Sequence, residues 1–373
     1  MSDDEADPEL LALLRQHLQG RRTPHQEPET GVLEDAEHVY DNSIDVALNM
    51  RACKNAAAVI HAQMQRRAYS PATWAAHELH PSRAEELGGG DEAAAVAFVF
   101  TMDLLNFSFW SDRPEPERFA VEYRGKRWTG YWSLVAALRR ALDEGIPITD
   151  SHFWQDEEEC TLDVLRQVFR SCTDEEMPLL AERLACLREA GRVLYERYEC
   201  HAANLIDEAD GSAAALVNLL ARDFKCFRDE HAFEGRRKPI RFLKRAQILV
   251  ADLWACFEGE GYGAFRDIDK LTMFADYRLP QILNSMGCIS YSPPLNTAIQ
   301  MKRDLPSGSS WEMQLRACSI WCVELIRREI LRQNPGCQVN ATLIDFFLYD
   351  TVKEMEATGQ EVVPHHRTRS IWY

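Results

Sequence analysis

Apolar positions recur at intervals of three and four through most of this chain, the signature of helices that bury one face. Between Ala47 and Arg67, Ala, Met and Val fall on that period and predict a helix. The same pattern predicts helices over Leu134–Asp143, Thr161–Arg170, Asp174–Tyr198 and Ser212–Arg222. For Asp174–Tyr198 the start is marked by Thr173 as N-cap with Glu176 three residues on, the spacing of a capping box. Pro239–Phe257 carries proline near its start and Gly259 just past its end, and Asp269–Met286 stops at Gly287. Two amphipathic helices, Ser310–Gln333 and Asn340–Thr358, complete the series.

Two stretches break the period. In Phe119–Trp132, Val121 and Tyr123 and then Trp128 flank a Gly125-Lys126 turn, which reads as a β-hairpin. Ala93–Trp110 is too continuously apolar to assign by period, and a buried strand fits it. At the start of the chain, a short helical pattern (Glu9–Gln19) gives way to a Pro-, Glu- and Arg-rich stretch. Residues 1–36 are therefore expected to be a mobile tail and linker. Residues 37–373 would then form one large domain, or two lobes around a cleft. The expected fold class is mainly α, with a small β element in the N-terminal half.

Composition narrows the function. Hydrophobic residues make up 46% of the 373, enough for a packed interior. With 59 acidic against 42 basic residues the net charge is −17. Duplex DNA and bulk RNA are disfavoured partners, because their binding rests on neutralising phosphates with Lys and Arg. A small substrate, even a cationic one, suits that charge better. The eleven cysteines include no CxxC pair and many sit in helical apolar contexts, as Cys318 and Cys322 do. They read as free thiols in a reducing compartment. No apolar run approaches the ~20 residues of a membrane helix, and MSDDEADPE is no secretory leader. A cytoplasmic protein is expected, with no membrane partner; its oligomeric state cannot be read.

In so acidic a chain, the informative acids are those inside apolar or aromatic runs, where an unpaired carboxylate is costly. Five qualify: Asp103, Asp252, Asp276, Asp345 and Asp350. Each is satisfied structurally, by an ion pair or a cap, or else faces a ligand. Asp276 and Lys244 are separated by the remainder of one helix, a turn with Gly259, Gly261 and Gly263, and the start of the next helix. That order can bring both side chains to one pocket wall. A desolvated carboxylate beneath C1′ of a nucleoside stabilises the cation-like sugar as the base departs. Asn106-Phe107-Ser108-Phe109-Trp110 offers aromatic faces for a base or for the core. His77 is a polar pocket candidate or an ordinary surface histidine. No His/Cys/Glu cluster has metal-ligand spacing, so no metal and no cofactor are expected. The basic run His365-His366-Arg367-Thr368-Arg369 either binds a phosphate or docks on the acidic body.

Several strings together resemble the queuosine salvage protein family. They are LeuAsnPheSerPheTrpSer (105–111), TyrArgGlyLysArgTrpThrGlyTyrTrpSerLeu (123–134) and LysArgAlaGlnIleLeuValAlaAspLeuTrp (244–254). MetPheAlaAspTyrArgLeuProGln (273–281), CysSerIleTrpCysValGluLeuIleArg (318–327) and HisHisArgThrArgSerIleTrpTyr (365–373) continue the match. The resemblance covers residue 44 or so to the end. It implies a fold similar to the helix-hairpin-helix DNA glycosylases and hydrolysis of queuosine 5′-phosphate to release queuine for transfer RNA. It places the catalytic aspartate on Asp276 and the motif lysine on Lys244. Base-pocket contacts fall on His77, Met273, Phe274, Asp345 and Asp350. Queuine carries an ammonium and a cyclopentene diol, partners suited to carboxylates. Asp345 and Asp350 are about 140° apart around a helix, so a ligand must wrap the helix edge to meet both. A non-catalytic module that binds a deazapurine or transfer RNA is the rival reading. A DNA-repair glycosylase would need a basic duplex-binding face that the sequence does not offer.

Overall fold

The computed structural model describes residues 28–81, 92–358 and 363–373. The expected helix Glu9–Gln19 lies outside them. The chain opens on α1 (Val32–Asp41), β1 (Val46–Leu48), α2 (Met50–Arg66) and the short α3 (Pro71–Ala75). Then come α4 (Glu92–Leu104), the pair β2 (Ala120–Tyr123) and β3 (Lys126–Thr129), α5 (Tyr131–Asp143), α6 (Ser151–Gln155) and α7 (Leu162–Val168). The middle of the chain forms α8 (Leu180–Tyr198), α9 (Ala202–Glu208), α10 (Ala213–Asp223), β4 (Glu230–His231) and β5 (Ile240–Arg241). It ends with α11 (Lys244–Cys256), α12 (Arg278–Ser285), β6 (Ile289–Tyr291), α13 (Pro293–Gln300), α14 (Ser310–Gln333) and α15 (Ala341–Ala357).

The architecture is mainly helical, as the periodicity predicts. Its strands form three antiparallel pairs, β2–β3, β4–β5 and β1–β6, so the β structure is not confined to the N-terminal half. β1 pairs with β6 across most of the sequence, Val46 opposite Tyr291 and Leu48 opposite Ile289. α14 packs along α1 and α2, and one continuous apolar cluster runs from Val32 to Val352. α1 buries Val32, Ala36 and Val39, so the end expected for the tail, at residue 36, falls inside a packed helix.

Several expectations shift, each for a local reason. Ala93–Trp110 is not a strand: Glu92–Leu104 is a helix, buried on every side from Phe98 to Leu104. A helix embedded in the core shows no amphipathic period, so its sequence resembles a buried strand. Its end and the segment that follows receive buried guanidinium groups, Arg245 on Leu104 O and Arg183 on Leu105 O and Phe107 O. The hairpin turn is Arg124-Gly125, one residue earlier than expected, with φ of 50° and 73°. Positive φ at both positions matches the right-handed twist of the flanking strands.

α8 starts at Leu180 rather than Asp174. Thr173 does accept from a backbone N–H, that of Glu175, but within a local turn. Pro178 disfavours helical conformation in the residue before it, which delays the helix. α11 starts at Lys244, since residues from Pro239 onward first complete β5. α12 starts only at Arg278; the preceding stretch from Leu271 is neither helix nor strand.

Candidate active site

Two delayed helix starts build the site. The Asp229 carboxylate accepts from Lys244 N at 3.3 Å and is itself held by Arg316, whose Nη1 lies 2.9 Å from Oδ1. Lys244 thus occupies the first turn of α11, where the free N–H groups are capped by a buried anion. Residues 244, 248 and 252 follow at four-residue spacing, so Lys244, Ile248 and Asp252 share one face of the helix. All three line the same cavity.

The irregular segment ahead of α12 is fixed by side chains. Thr272 N donates to Gln247 Oε1 at 2.9 Å, and Phe274 N donates to Asp345 Oδ2 at 2.9 Å. Asp276 then caps the new helix, its Oδ1 accepting from Arg278 N at 2.6 Å. Its other oxygen, Oδ2, lies 3.1 Å from Lys244 Nζ. Lys244 is 4% exposed and Asp276 17%, so the carboxylate faces the cavity while the ammonium sits behind it. Burial alone would raise the Asp276 pKa; the Lys244 ammonium and the Arg278 N–H outweigh it and hold the group below the usual carboxylate value. Asp276 is ionised at neutral pH.

The cavity in front of this pair has a volume of about 200 Å³. Its other acids behave oppositely. Burial pushes Asp252 and Asp345 far above their usual pKa, and raises Asp350 as well. Asp350 Oδ2 accepts from Tyr69 OH at 2.5 Å. Asp252 and Asp345 are held in the neutral form and would ionise beside a cation. Asp103 lies behind the wall, where burial raises its pKa to about 8.

Aromatic rings close the far end. His77 stacks on Trp132 with centroids 3.4 Å apart, and Trp74 stacks on His80 at 3.6 Å. Both histidines are neutral: burial lowers His77, and lowers His80 to about 3. Flat faces and neutral hydrogen-bonding groups suit a planar ring system.

Of the residues named from the sequence, Asp276, Lys244, His77, Phe274, Asp345 and Asp350 all line the cavity. Met273 does not; it is 1% exposed and packs into the core. Phe274, whose N–H is fixed by Asp345, is the one of the two neighbours that reaches the cavity. Asp345 and Asp350 are both reached because Phe346 and Tyr349 fill the same helix edge between them. The aromatic run divides: Phe107 is wholly buried between the guanidinium groups of Arg183 and Arg245, while Asn106 and Phe109 reach the cavity. Tyr69, Trp74, Tyr277 and Tyr349 were not foreseen. The four-residue spacing of Lys244, Ile248 and Asp252 is the sequence signal that would have added Asp252 to the site.

A second, polar cavity of about 680 Å³ adjoins the first and shares Phe109, Tyr131, Tyr277 and Tyr349 with it. Arg278, Lys353, His365 and Arg367 line it, so part of the basic C-terminal run faces this space. Arg369 instead lies flat over the Trp110 ring, 3.6 Å from its centroid.

The site thus defines a class: a pocket for a small planar ligand that carries, or develops, positive charge beside an ionised carboxylate. Comparison with known proteins makes the class specific. Residues 86–373 match the queuosine salvage protein family. The chain is 42% identical over 356 residues to the queuosine 5′-phosphate N-glycosylase/hydrolase of Schizosaccharomyces pombe (strain 972), covering 92% of this chain and 99% of that protein. It is 42% identical to the mouse (Mus musculus) protein of the same name, over 91% of this chain and 98% of that one. The namesake from the bacterium Sphaerobacter thermophilus is 39% identical over 82% of this chain and 88% of its own length. The chain belongs to the queuosine salvage protein family.

Proposed function

We propose that this chain hydrolyses the N-glycosidic bond of queuosine 5′-phosphate and releases queuine. The observation that carries the reading is the Lys244–Asp276 pair: an ionised carboxylate, desolvated and aimed into a cavity of neutral acids and aromatic rings. As the base departs, positive charge grows on the sugar, and Asp276 lies where a low-dielectric surround strengthens the attraction. Lys244 keeps the carboxylate ionised and oriented. The base enters between the aromatic faces, with Asp345 and Asp350 meeting its ammonium and diol. The adjoining polar cavity takes the sugar phosphate, with Arg278, Lys353 and Arg367 as its cationic lining and His365, lowered by burial to a pKa of about 4, as a neutral hydrogen-bonding group.

The substrate is a small molecule rather than duplex DNA, which the −17 charge disfavours. A cytoplasmic setting is in keeping with eleven cysteines that are all free. Among the described residues no helix is long and apolar enough to cross a membrane. The test is incubation with queuosine 5′-phosphate and with the free nucleoside, side by side, with chromatography for queuine. Release from the phosphate that is abolished in Asp276→Asn supports the reading. Queuine binding without any release would instead identify a binding module.

A further inference from the structure

One acid of the cavity has no part in the chemistry above. Asp252 lies two turns after Lys244 on the same face of α11, about 12 Å further along the helix axis. It is 3% exposed and lines the cavity. α3 packs against α11, and its Trp74 side chain donates a hydrogen bond to the Asp252 carboxyl. Trp74 is itself stacked on His80, so Asp252 belongs to the aromatic end of the cavity. Asp276 marks the other end, beside Lys244. With C1′ of the sugar about 3 Å from Asp276, the remaining span is that of a fused two-ring base lying along α11. The edge of the base remote from the sugar then meets Asp252.

We propose that Asp252 reads the lactam edge of the base as a neutral acid, its O–H donating to the 6-oxo group and its C=O accepting from N1–H. The inference rests on the preceding reading for the seat of sugar and base. The surroundings of Asp252 select the neutral form. Two acids, Asp103 and Asp345, and the Trp74 side chain act on it, and no cation is among them. Burial first, and then the two acids, keep the proton on the carboxyl. Asp276, by contrast, has the Lys244 ammonium 3.1 Å away. A neutral carboxyl sets one donor beside one acceptor, the complement of a lactam, whereas a carboxylate only accepts and would meet N1–H and the 2-amino group. Pairing neutral with neutral leaves no buried charge to be compensated.

The order of acids along the wall agrees with the order of groups on queuine, a deazaguanine substituted at C7. Asp276 acts on Asp345, and Asp345 on Asp252. Along one edge of the base, the sugar bond is followed by the C7 arm and then by the 6-oxo group. The ammonium of the arm therefore falls to Asp345 and the oxo group to Asp252.

The test is calorimetric binding of three free bases to wild type, Asp252→Asn and Asp252→Ala. The bases are queuine, 7-deazaguanine and 2-amino-7-deazapurine, which lacks the 6-oxo group. Asparagine presents the donor and acceptor of the neutral acid in the same shape, so Asp252→Asn should bind queuine within about threefold of wild type. Asp252→Ala should bind it about 10–100-fold more weakly, the cost of buried hydrogen bonds left unmade. Wild type should prefer 7-deazaguanine to the base without the oxo group by about tenfold, a comparison that needs no variant, and Asp252→Ala should lose the preference. Binding by Asp252→Asn as weak as by Asp252→Ala would assign a carboxylate contact and overturn the neutral pair. Wild-type affinity in Asp252→Ala, or no preference for the 6-oxo base in wild type, overturns the assignment altogether. A wild type that shows the preference yet releases no queuine from queuosine 5′-phosphate would instead sink the hydrolase reading and leave the role of Asp252 standing.

Discussion

Both oxygens of Asp276 are occupied, Oδ1 by the Arg278 N–H and Oδ2 by the Lys244 ammonium, so its position is set before any ligand arrives. Asp276→Asn preserves shape and the Arg278 cap but removes the charge. Turnover should fall by about 10²–10³-fold or more, the scale for losing a preorganised electrostatic group, while queuine binding stays close to wild type; the unfolding midpoint should fall, because the buried Lys244 ammonium loses its partner. A variant that turns over normally would move the chemistry elsewhere. Mass spectrometry of a quenched reaction decides how the carboxylate works: a protein heavier by the sugar phosphate marks a bond to C1′, and steady turnover without it assigns the attack to water. Asp345 leads to a separate prediction. Burial holds it protonated, with a pKa far above the ordinary value, and a ligand ammonium favours its charged form. Queuine binding at pH 7 should therefore release protons, seen in calorimetry as a heat that depends on the buffer. Affinity should strengthen as pH rises toward the unliganded pKa of Asp345, because less proton must then be displaced. In Asp345→Asn this release should diminish; an unchanged release would assign the protons to another group, Asp252 first.

Between Cys256 and Arg278 the chain has to turn tightly enough to set Lys244 against Asp276, and Gly263 is where it comes closest to α11. A Cβ there would lie 2.7 Å from Leu253 O and 2.8 Å from Phe257 Cβ, contacts that no rotamer change relieves. Gly263→Ala should destabilise the fold by about 1–3 kcal/mol, the range for overpacking, read as a lower denaturation midpoint at unchanged slope. An unaffected midpoint would mean that this turn yields freely. The glycines of this turn were visible in the sequence, but the element boundaries that matter were not. α14 was legible to the residue, from Ser310 to Gln333. α11 and α12 were each drawn too long at the start. Their true starts depend on Asp229 and on Gln247 and Asp345, side chains remote in sequence that satisfy backbone groups a longer helix would have satisfied itself. α4 was misread for the opposite reason: a helix buried on all sides carries no period. Among the residues that line the cavity, an acid in an apolar run signals itself locally, whereas the tyrosines and tryptophans look like any other core aromatics.

At the scale of the molecule, an acidic body encloses a site whose basic residues are concentrated beside one cavity. Transfer RNA should show no saturable binding at physiological salt under conditions where the mononucleotide is turned over; tight, steeply salt-dependent binding would contradict this. The closing segment joins that cavity to the Lys244–Asp276 pair. Ser108 N donates to Tyr373 O, Trp110 Nε1 donates to Thr368 O at 2.9 Å, and Tyr373, 1% exposed, lines the main cavity. The Arg316 guanidinium lies over the Tyr373 ring, 5.0 Å from its centroid, while also holding Asp229, which caps the helix that presents Lys244. A contact chain thus runs from Tyr373 through Arg316, Asp229 and Lys244 to Asp276. Tyr373→Ala removes the ring that covers Arg316 and opens the wall, so it should lower stability by about 3–5 kcal/mol, as for other buried aromatics cut to alanine, and reduce kcat/KM with it. Tyr373→Phe keeps the ring and loses the hydroxyl's contacts to His366, 3.0 Å away, and to the buried Glu312 carboxyl, a change of about 1–3 kcal/mol. If packing is what Tyr373 supplies, the phenylalanine variant retains nearly full kcat/KM. Equal losses in both variants would transfer the role to the hydroxyl, and a Tyr373→Ala protein that unfolds at the wild-type midpoint would break the chain of contacts at its first link.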